Sequence, residues 1–142
     1  MSKSKCHYDV HVTFYGFDDN DDGHGHYGTA IIEFPHIHDL ATEDLGNYHN
    51  PSTFACDARF IKPGTKIYVP RLMKYYIMED GCVECEADWA KGIKHVDLYI
   101  GGNEKLYGSA LISRENDLTF SIPEIIIINP PINLPVSLIK LF

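Results

Sequence analysis

Asp9-Val10-His11-Val12-Thr13-Phe14-Tyr15 is the stretch from which the fold reads. Val10, Val12 and Phe14 alternate with Asp9, His11, Thr13 and Tyr15, the period of two that turns one face of a strand to a core and displays the other. Thr13 and Tyr15 fall on the displayed face. Working outward, residues 66–69, 75–78 and 96–100 are β-branched or aromatic and are bounded by Pro, Gly or charged residues, with Pro63-Gly64 as a turn before the first. Residues 29–34 and 118–122 read as further short strands and 106–112 as one short helix. Residues 18–27 hold two glycines and no apolar period, an exposed loop, and 35–53 form a long connection of the kind that commonly carries function. No segment keeps a helical period over three turns, so the expected class is mainly β with short helices and long loops.

The 142 residues have room for one domain, 1–142, with a barrel core at about 9–122 and an apolar tail at 123–142 packed on the body or on a partner. Pro123, Pro130, Pro131 and Pro135 forbid a long helix in that tail. Hydrophobic residues at 44% and charged residues at 23% exclude a wholly disordered or fibrous chain. Twelve basic against twenty acidic residues leave a formal charge of -8, with no basic stripe, which makes nucleic acid and anionic membrane poor partners. The longest apolar run is Ile125-Ile126-Ile127-Ile128, far short of the ~20 residues of a membrane span. The start has no apolar h-region, so the expectation is a cytosolic chain or a trimmed mature form. Cys6, Cys56, Cys82 and Cys85 allow three pairings and do not fix the compartment.

Three stretches in order carry a resemblance: Val12-Thr13-Phe14-Tyr15-Gly16, then Tyr76-Ile77-Met78-Glu79-Asp80-Gly81-Cys82-Val83-Glu84-Cys85, then His95-Val96-Asp97-Leu98. Their order resembles the double-psi β-barrel families: barwin-like endoglucanases, expansins, rare lipoprotein A-type lytic transglycosylases and the bacterial domain named for three aspartates. Thr13-Phe14-Tyr15-Gly16 is similar to the opening strand of expansins, and Gly25-His26-Tyr27-Gly28 to their glycine-rich turn. Cys56-Asp57-Ala58-Arg59 followed by Pro63-Gly64-Thr65-Lys66-Ile67-Tyr68-Val69 resembles the first part of the three-aspartate domain. The resemblance spans roughly residues 10–108 and implies a six-stranded double-psi barrel with one open groove, acting on or binding cell-wall glycan. It implies Asp97, Asp80 and Asp57 as candidate catalytic carboxylates, and Cys82 and Cys85 as a possible disulfide. The Ala-Phe segment and basic wall-binding module of many expansins have no counterpart here, and Asp18 is the nearest candidate for the second carboxylate of the barwin-like endoglucanases.

The residues argue the chemistry independently. Glycosidic cleavage needs a protonated acid at the leaving oxygen and, for hydrolysis, a second carboxylate. Asp97 between Val96 and Leu98 projects away from the core side of its strand, and His95 shares its face. Beside Asp80 and Asp57 in a cleft, repulsion and partial burial would raise one acid's pKa. Thr13 and Tyr15 would supply hydrogen bonds and a stacking surface for a sugar, with His95 orienting or packing. Two metal readings compete. Asp18, Asn20, Asp22 and Gly23 match the first half of an EF-hand loop, but its twelfth position is Thr29 rather than Glu. Cys82 and Cys85 could join Cys56, Cys6 or a His around zinc, but without a second close-spaced pair a disulfide in an oxidising compartment is favoured. The expectation is thus no metal and no cofactor. The chain reads as a cell-wall glycan enzyme, a peptidoglycan lytic transglycosylase before a barwin-like endoglucanase, secreted or wall-associated. A non-catalytic expansin-like binding or wall-loosening module is the alternative, as is a cytoplasmic or viral barrel without the chemistry.

Overall fold

The computed structural model describes residues 3–16, 30–101 and 122–139. Their elements are β1 (Lys5–Tyr15), β2 (Ser52–Cys56), β3 (Lys66–Val69), β4 (Lys74–Asp80), α1 (Val83–Ala90), β5 (His95–Tyr99) and β6 (Glu124–Ile128). The six strands close into a barrel in the order β1-β5-β2-β4-β3-β6, so the mainly β, six-stranded barrel expected from the sequence is present. The pairs β1–β5 and β2–β4 are parallel and the other four antiparallel.

Alternation decides which side chains fill the barrel. Val10, Val12 and Phe14 of β1 meet Phe54 and Cys56 of β2, Ile67 and Val69 of β3, Tyr76 and Met78 of β4, Val96 and Leu98 of β5 and Ile126 of β6 in one buried core. Each large apolar side chain so enclosed contributes about 1.5–3 kcal/mol. The alternate positions Thr13, Tyr15, Ala55, Asp97 and Tyr99 point the other way. A second, smaller cluster forms there where Ile32 and Ala41 cover Tyr15, Ala55 and Tyr99.

Four elements depart from the expectations. Ser52–Cys56, whose first two residues end the expected long connection 35–53, is a strand buried along its whole length. With the core on one side and covering chain on the other, it shows no polar alternation. Glu124–Ile128, read as part of a tail, is the strand that closes the barrel between β1 and β3, so the core extends past residue 122. Beyond it the chain crosses β3 and β4, where Tyr68 and Tyr75 donate hydroxyl hydrogen bonds to the carbonyls of Pro135 and Pro131. The described part of 29–34 is not a strand; it makes one isolated bridge, Ile31 to Leu40. The amides of Glu33 and Phe34 instead donate to the Asp80 carboxylate and the Glu79 carbonyl. Finally, α1 went unread because two turns are too few to show a period. Cys82 caps it, its Sγ accepting from the Cys85 amide, and Glu84 and Glu86 suit the positive end of the helix dipole. Gly92, at φ 80°, supplies the left-handed residue just past its end. The expected loop 18–27, helix 106–112 and nearly all of the expected strand 118–122 lie outside the described residues.

Candidate active site

Register builds the site on the outer face of the barrel. Thr13 pairs with Asp97, Asp97 with Ala55, and Ala55 with Asp80, so the four residues form one row across β1, β5, β2 and β4. Asp97 and Asp80 are thus two strand spacings apart, roughly 10 Å between backbones. The side chain between them is the single methyl of Ala55.

Thr13 and Tyr15, on the same face of β1, each serve one carboxylate. The Thr13 hydroxyl lies 2.9 Å from Asp97 Oδ1 and 2.7 Å from His95 Nε2. The other ring nitrogen, Nδ1, lies 2.9 Å from Asp88 Oδ2 on α1. Burial, helped by the neighbouring His11, lowers the pKa of His95 against the pull of Asp88. Tyr15 donates to Asp80 Oδ2 at 2.9 Å, while the amides of Glu33 and Gly81 donate to Asp80 Oδ1. Burial outweighs those three bonds and pushes the Asp80 pKa up to about 6. Burial also holds the Tyr15 phenol protonated, so it remains a donor.

Two sequence-derived roles change. Asp57 directly follows β2, and its carboxylate accepts from the Arg59 amide and from the Arg59 guanidinium through Nε and Nη2. Those bonds lower its pKa, so it is an ionised turn anchor rather than a proton donor. Tyr15 is not a stacking platform, because the residue is only 7% exposed and its ring packs edge-on against Tyr99. Asp97 and Thr13 are only half-buried, and among the three candidate acids Asp97 is the most open. Cys82 and Cys85 form the disulfide, so the pair is closed to zinc. Among the described residues no group of three or more His, Cys, Asp or Glu could hold a metal ion; the EF-hand-like stretch lies outside them.

Sequence reasoning missed Asp88 and Glu79. Asp88 reaches His95 only because α1 packs beside β5, which no local pattern announces. Glu79 is the extra residue of a bulge where β2 and β4 shift register. Fully buried, it accepts from the amides of Ile37 and His38, from His38 Nδ1 and from the Thr53 hydroxyl. This carboxylate fastens the loop around residues 37–44 beside the row. His38 Nε2 in turn meets Asp44 at 3.1 Å. Burial opposes charge on that ring, but its bonds to Glu79 and Asp44 prevail and raise its pKa from 6.5.

No solved structure matches the chain. It is 41% identical over 91 residues to the Dictyostelium discoideum uncharacterized protein DDB_G0273701/DDB_G0273221, an alignment covering 63% of this chain and 38% of that protein. The chain therefore spans well under half the length of this relative. The match to the DDB_G0273701 N-terminal domain runs over residues 7–142, nearly the whole chain, and the protein belongs to that family.

Proposed function

We propose that the protein cleaves cell-wall glycan, as a peptidoglycan lytic transglycosylase with Asp97 as its acid and base, on a double-psi barrel scaffold. The observation that carries this reading is the half-buried Asp97 carboxyl held by Thr13, which itself contacts a buried histidine. Such a reaction needs one reachable carboxylic acid. It protonates the glycosidic oxygen as the bond breaks, and then accepts the proton of the muramoyl 6-hydroxyl as that oxygen closes on the sugar's own anomeric carbon. Plain hydrolysis would need a second carboxylate beside a water. Asp80 is enclosed by Tyr15, Glu33 and Gly81, and Asp57 is engaged by Arg59, so a single-acid reaction fits the described groups better. The Cys82–Cys85 disulfide favours an oxidising compartment, secreted or wall-associated.

The test is digestion of purified peptidoglycan and cellulose, with mass spectrometry of the soluble products. Anhydro-muramoyl ends are the expected result. New reducing ends would make the protein a hydrolase, and binding without products would make it an expansin-like module.

A further inference from the structure

The contacts around Thr13 contain a proton-counting problem. Asp88 Oδ2 to His95 Nδ1, His95 Nε2 to Thr13 Oγ1, and Thr13 Oγ1 to Asp97 Oδ1 are three consecutive hydrogen bonds. Three bonds need three hydrogens. Thr13 brings one and a neutral imidazole brings one. Two ionised carboxylates bring none, so the chain holds one proton more than its ordinary ionisation states supply.

With three hydrogens and Asp88 ionised, only two arrangements satisfy every bond. In the first, the imidazole is charged, Nδ1–H donates to Asp88, Nε2–H donates to Thr13, and Thr13 donates to an ionised Asp97. In the second, each of two protons has moved one step. Asp97 is the acid and donates to Thr13, Thr13 donates to Nε2, and neutral His95 keeps its hydrogen on Nδ1 for Asp88. The groups facing the ring are His11 and Thr13 from β1, Asp88 and Glu84 from α1, and Asp97 from its own strand. His11, with ring centroids 4.7 Å apart, and the buried setting both work against a charged imidazole, which favours the second arrangement.

We propose that Asp88, His95, Thr13 and Asp97 share one proton along a continuous relay, in which Asp88 is a positioning residue that fixes the His95 tautomer and so keeps Asp97 protonated. Asp88 is a quarter exposed and forms the solvent end of the relay; Asp97 forms the site end. The catalytic consequence rests on Asp97 being the acid of the proposed glycan cleavage, whereas the shared proton does not.

The experiment is nitrogen and carboxyl-carbon NMR over a pH series, on protein labelled in its histidine rings and aspartate carboxyls, alongside glycan digestion. His95 and Asp97 are assigned by comparison with His95→Gln and Asp97→Asn. At pH 7 the expected spectrum has neutral His95 as the Nδ1–H tautomer, a protonated Asp97, and one pH midpoint common to both signals. Asp88→Ala, at a partly exposed position of a helix that alanine suits, should move the hydrogen to Nε2, turn the Thr13 hydroxyl to Asp97, leave Asp97 ionised and slow cleavage at least tenfold. Thr13→Val should preserve the tautomer but separate the two midpoints. An Nε2–H tautomer beside an ionised Asp97 in the unaltered protein would overturn the relay, as would midpoints indifferent to Asp88→Ala. The expected spectra without any glycan cleavage leave the relay standing and remove the glycan reading. Full cleavage by Asp88→Ala does the reverse.

Discussion

Asp97 and Asp80 sit in one row, yet their surroundings assign them different work. Asp97 is half-buried and bonded to a hydroxyl, whereas Asp80 is enclosed and accepts from three donors. Asp97→Asn keeps the shape and most of the hydrogen bonding but cannot deliver a proton. Glycan cleavage should fall by ~10²-fold to 10⁴-fold while the melting temperature barely moves; full activity in a folded Asn variant would shift the acid to Asp80. For Asp80 the informative variable is pH. Its folded pKa, about 6, lies above the ordinary 3.8, so the folded state binds the proton more tightly than the unfolded chain does. Stability from this group is fully present below pH 3.8 and is lost as pH rises toward 6, a difference on the order of 2–3 kcal/mol. Denaturation curves across that range should lose this slope in Asp80→Asn. Asp97, Thr13 and His95 were legible in the sequence because strand alternation puts them on the displayed face. Asp88 was not, since its role depends on how α1 packs.

Among the elements, the β4 bulge governs what covers the site. By adding Glu79 to the strand it places a carboxylate beneath the 37–44 loop, where backbone amides, His38 and Thr53 all donate to it. Glu79→Ala removes every acceptor at once and leaves His38 without its closest partner. The expected cost is about 3–5 kcal/mol, read by denaturant unfolding, with faster amide exchange at Ile37 and His38; a loss confined to a few tenths would mean the loop is held from elsewhere. His38 has a raised folded pKa, so its contribution is present below pH 6.5 and fades as pH rises through the higher folded value. Strands with a clean period or a punctuating turn, such as β1 and β3, were readable. β2, buried along its whole length, and β6, an unbroken apolar run among prolines, were not, because neither shows the polar alternation on which the reading depends.

Over the whole molecule, the disulfide and the barrel closure make unequal demands on stability. Cys82 and Cys85 are three positions apart, so the covalent ring is small and restrains little of the unfolded chain. Reduction should cost about 2 kcal/mol and leave the strand spectrum unchanged; collapse of the barrel on reduction would show that the bridge holds more than the turn after Asp80. Closure, by contrast, joins Lys5 to Ile128 and Cys6 to Ile127, partners separated by most of the chain. Contacts so distant along the sequence are slow to form. During synthesis every described strand except β6 emerges before the one that must lie between β1 and β3. Until then those two strands have unpaired edges, the state in which chains stick to one another. A growing copy of this barrel therefore keeps open strand edges until the run of isoleucines at 125–128 leaves the ribosome and closes it.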